Sequence, residues 1–308
     1  MRFDRGVFCV RKKVKSGSFF NRNAKYVMTI PTIAFILICV IYPIFYTFRL
    51  SFFDWKMSAK VAQEFVGLGN YIELFTDSRF LNAFWRTIWF TLVAVTVEMV
   101  CGVVFALLLN KIKRGSNVIR TVFLMPMVAT PVAVGILWKL IYDPTIGLAN
   151  TVLSFLHLPT GTWLGSSSTV MISLIIIDIW QWTPNIMLIV LAGLSGMDES
   201  VVESARIDGA NELQLIRHIT LPILTPTIMM AVLLRLIDCL KTFDIIYTTT
   251  TGGPGYASEN LNILSYQYAF NYMQMGKACC SLVIFFIVVC GFALLFSAFR
   301  RKVEKRYE

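Results

Sequence analysis

Charged residues are scarce in this sequence of 308 residues. Asp, Glu, Lys and Arg together make up 15%, whereas soluble globular domains carry roughly 25%, and hydrophobic residues make up 56%. So few charges cannot cover a water-exposed surface, and most of the surface must therefore face lipid. The composition excludes a soluble enzyme, a disordered chain and a small disulfide-rich scaffold. It favours an all-α polytopic membrane protein.

Histidine is almost absent, because only His157 and His218 occur, and neither a CxxC nor an HExxH motif is present. We therefore expect no metal site in this chain. The seven cysteines lie in apolar runs or in the N-terminal tail, which argues against a disulfide framework. The phosphate-binding motif GxxxxGK(S/T) is missing, so the chain is not expected to bind ATP in the usual way. No Ser-His-Asp or paired-carboxylate set can be assembled, and we expect neither a catalytic residue nor a resident cofactor.

Six apolar runs are long enough to cross a bilayer as helices, which takes roughly 20 residues each. They cover about Tyr26–Leu50, Ile88–Leu109, Val118–Ile141, Thr169–Gly193, Thr225–Tyr247 and Gly276–Phe299. The sequence thus predicts a basic tail over residues 1–25, a six-helix membrane domain over 26–299 and a second basic tail over 300–308.

Lysine and arginine are distributed unequally between the two sides of these predicted spans. Nineteen lie on the side that holds both tails, and only four lie in the connections on the opposite side. Because cytoplasmic loops are enriched in Lys and Arg, we expect both termini in the cytoplasm. The net charge of +10 is then a topology signal, and nucleic-acid binding is not expected.

The longer of the two inner connections, residues 194–224, contains a short polar helix over about 199–208. Asp198 is a good N-cap, and Gly209 can adopt the left-handed conformation that ends a helix. The segment is too short and too polar to cross a bilayer. Its small residues permit close approach of another protein. Taken alone, the pattern fits a helix docked on a partner protein and a helix lying on lipid headgroups equally well.

Two spans carry polar side chains at a spacing of i, i+3, i+4 and i+7, which places each set on one helix face. The fourth span has Asp178, Gln181, Trp182 and Asn185, and the fifth has Arg235, Asp238, Cys239 and Thr242. Polar residues at bilayer depth are costly, and they line a cavity or face the bundle interior. These types suit a sugar, which needs hydrogen-bonding groups and aromatic faces. The structural alternative is a buried ion pair between Arg235 and Asp238, with hydrogen bonds between helices.

Other polar or helix-breaking residues within the spans have simpler expected roles. Glu98, central in the second span, is expected to form a hydrogen bond to a neighbouring helix. Lys241 and Asp244 rotate off the polar face of the fifth span, and we expect them to pair with a neighbouring helix or to reach the outer headgroup zone. Prolines mark kinks or breaks, whose free carbonyls either pack or line a pathway. They are Pro31, Pro43, Pro126, Pro131, Pro184 and Pro226.

The connection 194–224 resembles the EAA signature of ABC-importer permeases, in which EAA-x-x-DGA is followed after a spacer by I-x-LP. The matching residues are Glu203, Ala205, Asp208, Gly209, Ala210, Ile219, Leu221 and Pro222, and Ser204 stands at the second position of the motif. In that family the loop is the coupling helix, which docks into a cleft on a separate ATPase subunit. The resemblance implies the same coupling role for these residues.

Shorter motifs, in order over most of the chain, are similar to carbohydrate-type members of that family. Examples are Phe65–Tyr71, Tyr142–Pro144, Lys241–Asp244, Thr251–Pro254 and Gly276–Ser281. The resemblance implies a type I ABC-importer permease in a bacterial or archaeal cytoplasmic (inner) membrane, with a sugar or related carbohydrate as solute. It also implies the partners, which are a second permease, two ATPase subunits that hold ATP and Mg, and an extracytoplasmic solute-binding protein.

The resemblance also adds two residues to the substrate-path candidates. In the maltose-type permease, sugar contacts come from positions that align with Met127, Pro131, Gln181, Trp182, Asn185, Arg235, Asp238, Cys239 and Thr242. Most residue types differ at these positions. Met127 and Pro131 therefore join the two polar sets, and Asp178 is supported by the polar pattern alone.

The alternative function is a stand-alone ion-coupled secondary transporter. Such proteins usually contain internal inverted repeats and an ion site at the bilayer midplane. No repeat is found in the six spans, and the long inner connection would have no role. An intramembrane enzyme is a third possibility, but it lacks a catalytic set. We therefore expect a pathway subunit that is not itself an enzyme.

Overall fold

The structure is a computed structural model that describes residues 19–57, 63–112 and 115–307. Residues 1–18 of the predicted N-terminal tail lie outside the described residues, and a helix begins at Phe19, inside the predicted tail. The chain divides into two units, Met1–Arg49 and Leu50–Glu308.

The first unit is one apolar helical segment. It consists of α1 (Phe19–Ile36), a π-helical stretch (Leu37–Ile41) and most of α2 (Tyr42–Leu50). Pro43 has no N–H to donate, and it lies directly after the π-helical stretch, where the spacing of the helical hydrogen bonds changes. Residues Met28–Leu50 are long and apolar enough to cross a membrane, which agrees with the first predicted span.

The second unit is a helical bundle with one short strand pair. The strands β1 (Phe53–Asp54) and β2 (Glu64–Phe65) pair antiparallel, with Phe53 opposite Phe65. The α-helices are α3 (Gly69–Thr76), α4 (Ser78–Lys111), α5 (Ser116–Val128), α6 (Pro131–Ile141), α7 (Leu148–Phe155), α8 (Val170–Ser195), α9 (Glu199–Ile207), α10 (Glu212–Leu215), α11 (Leu221–Leu240), α12 (Asp244–Thr249), α13 (Leu261–Tyr266) and α14 (Met275–Tyr307). A 3₁₀ turn (Trp163–Gly165) precedes α8, and π-helical stretches (Ile216–Thr220 and Gln267–Asn271) follow α10 and α13.

The third predicted span is not one continuous helix. Helices α5 and α6 meet at 94°. Pro131 begins α6, and because a proline disfavours helical geometry in the preceding residue, Thr130 is extended with ψ at 141°. Within the described residues, five helices are long and apolar enough to cross a membrane, and the α5–α6 pair makes a sixth only if it is counted as one broken span.

The fifth predicted span was expected to continue to Tyr247, and this is wrong, because α11 ends at Leu240 and α12 is a separate helix. Side chains at the start of α13 bind the carbonyls at the break. Asn262 donates to the carbonyl of Leu240 at 3.1 Å, and Asn260 donates to that of Thr242 at 2.6 Å. The helical spacing of the polar set therefore stops before Thr242.

Close packing of α4, α8 and α11 forms the centre of the bundle. Leu174, Ile177 and Ile186 of α8 are fully buried there. Gly102 lets α4 approach α8 closely, since a Cβ atom at this position would come within 2.9 Å of Cβ of Ile186. The three helices thus provide a rigid frame for the side chains described below.

We predict that Gly102→Val destabilises the bundle by about 1–3 kcal/mol, because the added side chain overpacks the contact between α4 and α8. The matched control is Gly291→Val on α14, where an added Cβ would meet nothing within 4 Å. Thermal unfolding of the detergent-solubilised protein measures both. Equal melting temperatures for the two variants would contradict this account of the helix contact.

Candidate functional site

A buried ion cluster joins α4, α8 and α11. Nε of Arg235 on α11 donates to Oε2 of Glu98 on α4 at 2.7 Å, and Nη2 donates to Oε1 at 3.0 Å. The same Nη2 donates to Oδ2 of Asp178 on α8. Both carboxylates are 0% exposed and Arg235 is 4% exposed. Because an unpaired buried charge is very costly, the arginine holds the two carboxylates, and with them the three helices, in place.

The expected role of Glu98 in linking helices is confirmed. The structural alternative is correct in its hydrogen bonds between helices but not in its pairing, because Arg235 pairs with Glu98 and Asp178 and not with Asp238. Asp238 is exposed and pairs with Lys241 at 3.2 Å. The two fully buried carboxylates on neighbouring helices need a cation more than the solvated carboxylate does, and they take the arginine. Lys241 pairs at the end of its own helix rather than with a neighbouring helix, and its alternative expected location in the outer headgroup zone stays a prediction.

A cleft of about 140 Å³ lies beside the ion cluster. Its walls come from the break before α6, from α8, from the end of α11 and from the start of α12. The lining residues are Pro131, Asp178, Trp182, Arg235, Asp238, Lys241, Thr242, Phe243, Asp244 and Ile245. The ring of Trp182 lies 5.1 Å from Cζ of Arg235. The cleft therefore presents aromatic faces next to charged and hydroxyl groups.

Six of the ten substrate-path candidates line this cleft, namely Pro131, Asp178, Trp182, Arg235, Asp238 and Thr242. Lys241 and Asp244, which were expected elsewhere, line it too, because the chain turns after Leu240 instead of continuing as a helix. Cys239 lies behind the lining, 1% exposed, and its thiol donates to Oδ2 of Asp178 at 3.6 Å.

Gln181 does not line the cleft but binds the break between α5 and α6. Its side chain is buried, and Nε2 donates to the carbonyl of Ala129 at 3.2 Å, at the break between α5 and α6. It thus satisfies a carbonyl that the broken helix leaves without a helical partner. Met127 and Asn185 are half-buried on α5 and α8, outside the cleft lining.

Helix α9 lies outside the long apolar helices, and both of its ends are capped. Oδ1 of Asp198 accepts a hydrogen bond from the N–H of Ser200 at 2.9 Å, which lowers the pKa of the Asp198 carboxyl. At the other end Gly209 has φ of +86°, and the N–H of Ala210 donates to the carbonyl of Ala205 at 3.0 Å. This is a Schellman cap. The predicted N-cap and left-handed glycine are both confirmed.

The segment after α9 is tied to the rest of the bundle. Asn211 and Gln214 form a reciprocal capping box at the start of α10. The carboxylate of Glu212 pairs with Arg206 of α9 and with Lys111 at the end of α4, each at 2.9 Å. Exposed ion pairs are weak individually, but here one carboxylate bridges three helices.

The residues that match the EAA signature differ in exposure. Glu203, Ser204, Asp208 and Gly209 are exposed, whereas Ala205, Ala210, Leu221 and Pro222 are half-buried. Beside them Ile207 is 86% exposed and Leu213 is 73% exposed. Such apolar side chains on a short helix outside the long apolar helices indicate a surface that another molecule covers.

A second ion pair, not predicted from the sequence, lies at the end of the bundle opposite α9. Nε and Nη2 of Arg79 donate to the two oxygens of Glu259 at 2.8 and 2.7 Å. Glu259 is 0% exposed, and the Arg79 guanidinium lies 3.9 Å from the ring centroid of Tyr256. A signal was present, because Glu259 is the sole charged residue in the connection 248–275.

We predict that Arg79→Met destabilises the protein by about 3 kcal/mol, because it leaves the buried carboxylate of Glu259 without its cation. The control is Lys56→Met, which removes a solvated pair with Asp54 at 3.6 Å and should leave the melting temperature unchanged. Thermal unfolding, together with chymotryptic cleavage after Tyr256 in this loop, measures the effect. An Arg79→Met variant that unfolds and is cleaved like the Lys56→Met variant would show that the bidentate pair does not hold this loop.

Among the described residues, no group of three or more His, Cys, Asp and Glu side chains is arranged to hold a metal ion.

Proteins with similar sequences are named as permeases of transport systems. The chain is 37% identical over 91% of its length to a probable ABC transporter permease protein, y4oQ, of Sinorhizobium fredii, and covers 91% of it. It is 34% identical to the trehalose/maltose transport system permease protein MalF of Thermococcus litoralis, over 89% of this chain and 93% of that one.

A solved structure shares the fold. It belongs to a bacterial ABC transporter involved in the import of the acidic polysaccharide alginate, also solved in complex with an alginate pentasaccharide-bound periplasmic protein. The TM-score is 0.81 at 21% identity, over 92% of this chain and 97% of that chain. Residues 98–308 match the family of binding-protein-dependent transport system inner membrane components. This chain therefore belongs to that family and is a permease subunit of an ABC importer.

Proposed function

We propose that this chain forms, together with a second and related permease, the translocation pathway for a carbohydrate solute. Two ATPase subunits bind ATP and Mg and drive the importer, and an extracytoplasmic solute-binding protein delivers the solute. The complex resides in the cytoplasmic membrane of a bacterium or archaeon. ATP hydrolysis is assigned to the separate ATPase subunits, because the ATP-binding motif is missing from the sequence of this chain.

The observation that carries this proposal is the short, doubly capped helix α9 with its exposed apolar residue Ile207. A helix lying on lipid headgroups would gather its apolar side chains on one face, whereas Ile207 has the exposed Glu203 and Ser204 as its neighbours at i−4 and i−3 on the helix surface. A polar surface with a projecting apolar side chain suits a protein cleft instead. We assign α9 as the helix that docks on the ATPase.

The caps explain how α9 can transmit movement. Its two ends are held by Asp198 and Gly209, and Glu212 connects it to α10 and α4. A rigid helix with few internal degrees of freedom passes a displacement of the ATPase on to α11 instead of absorbing it. Helix α11 carries Arg235 and ends at the cleft. A displacement of the docking helix α9 would therefore reach the cleft through α11.

The charge distribution sets the orientation of the proposed pathway. The connections on the α9 side carry most of the Lys and Arg residues, which supports a cytoplasmic location for α9 and for both termini. The α5–α6 pair then counts as one broken crossing, and the total is six. The cleft lies toward the opposite end, where α11 stops and α12 begins.

The cleft has the chemistry of a carbohydrate subsite. Trp182 and Phe243 offer aromatic faces for sugar rings, and Asp178 and Thr242 offer groups that bind hydroxyls. Its volume of about 140 Å³ is below the roughly 300–1,000 Å³ of complete ligand sites. A partner permease would therefore have to supply the rest of the pathway wall.

The relatives leave the charge of the solute open. One transports trehalose and maltose by name, and the structural neighbour takes part in the import of an acidic polysaccharide. The alternative of an ion-coupled secondary transporter loses its support, because the family assignment places the chain among binding-protein-dependent systems.

We predict that Ile207→Glu abolishes co-purification of the ATPase subunit, because it puts a charge on the apolar tip of the docking helix. The matched control is Ile146→Glu, an isoleucine with nearly the same exposure, 81% against 86%, at the opposite end of the bundle. Ile146→Glu should retain the ATPase, and both variants should keep the melting temperature of the unmodified chain. ATPase retained by Ile207→Glu at the control level would reject the docking assignment.

A further inference from the structure

The charges that face the cleft are unequal. Its walls carry three carboxylates and two cations. Arg235 also contacts Glu98 directly behind the wall, so the complete local set is four carboxylates and two cations. The walls and the residue behind them therefore carry a formal charge of minus two. The members of this set are Asp178, Asp238, Asp244, Glu98, Arg235 and Lys241.

Both cations of the cleft are already engaged. Arg235 is shared by two buried carboxylates, and Lys241 pairs with Asp238 at 3.2 Å. Among the described residues, Asp244 has no ion pair. An anionic solute entering the cleft would therefore meet an excess of negative charge. Both cations there are already neutralised by carboxylates.

A second observation points to a ligand with donor groups. Asp178 is 0% exposed and lines the cleft, and its Oδ1 has no hydrogen-bond partner among the described residues. A buried acceptor without a donor is costly, and it is satisfied when a hydroxyl or an ammonium group binds. A carboxylate or phosphate group has no donor to offer at neutral pH, and it would be repelled.

We propose that this cleft is a charge filter, which admits uncharged and cationic carbohydrates and rejects uronates and sugar phosphates. The proposal deepens the proposed function and rests on it. Trp182 and Phe243 supply contacts that every sugar ring can use. The carboxylates of Asp178, Asp238 and Asp244 repel anionic sugars and so select the solute by its charge. The specificity-determining residues are thus three aspartates of the cleft wall, the exposed Asp238 and Asp244 and the buried Asp178.

The charge selectivity of the cleft can be measured without knowing the solute. The measured quantity is the rate at which charged reagents modify a thiol placed in the cleft. Thr242→Cys is introduced in the full chain, purified with its partner subunits in nanodiscs. The rates of modification by a cationic and an anionic methanethiosulfonate reagent are followed by mass spectrometry of the peptide that contains residue 242. The ratio of the two rates is corrected with the ratio for free cysteine. Thr160→Cys, an exposed threonine outside the cleft, is the reference position.

We expect a cation-to-anion rate ratio at position 242 about tenfold above the reference. Adding Asp238→Asn and Asp244→Asn should bring the ratio down toward the reference. The matched control Asp143→Asn, a carboxylate at the same end of the bundle but outside the cleft, should leave it unchanged. High salt should shrink the ratio as well. A ratio equal to the reference, or one that the two aspartate substitutions do not change, would overturn the filter.

Two trisaccharides then test the solute class. Maltotriose is expected to slow modification of the thiol introduced at position 242, and trigalacturonate at the same concentration is expected to leave it unchanged. Equal or stronger protection by trigalacturonate, or no protection by either sugar, would overturn the proposal. Failure of the proposed function is detected separately, because it appears as loss of ATPase co-purification in the unmodified chain, which does not depend on the thiol rates.

Discussion

The interaction on which the rest of the second unit depends is the pairing of one buried arginine with two buried carboxylates. Arg235, Glu98 and Asp178 come from three different helices, and none of them has access to bulk water. Charged groups at this depth are tolerated only when they neutralise one another with good geometry. That requirement fixes the rotation of α4, α8 and α11 about their axes, which apolar packing alone specifies poorly.

The fixed rotation determines what each helix presents elsewhere. On α8 it turns Trp182 toward the cleft and Gln181 toward the break between α5 and α6. On α11 it leaves Asp238 at the cleft and connects the same helix, through α10, to the capped helix α9. We propose that the solute path and the docking surface are two ends of this one frame, and that movement of one is passed to the other through α11.

Much of this was accessible from the sequence, because apolar runs and caps are local signals. Asp198 and Gly209 predicted the ends of α9, and the prolines marked the break before Pro131. Pairing between helices was not accessible, because helical spacing relates Arg235 to Asp238 but contains nothing about α4 or α8. The end of α11 was missed for the same reason, since distant asparagines capture its last carbonyls. The cleft could not be predicted either, because it is formed by the ion cluster and by the turn after Leu240.

The most direct test of the ion cluster compares thermal unfolding of Arg235→Met with that of the triple variant Glu98→Gln, Asp178→Asn and Arg235→Met. The account predicts that the single variant loses about 3–5 kcal/mol, because two carboxylates are left buried without a cation. The triple variant should be clearly more stable than the single one, because its buried groups are neutral. A single variant as stable as the triple variant would contradict the claim that this arginine holds the three helices together.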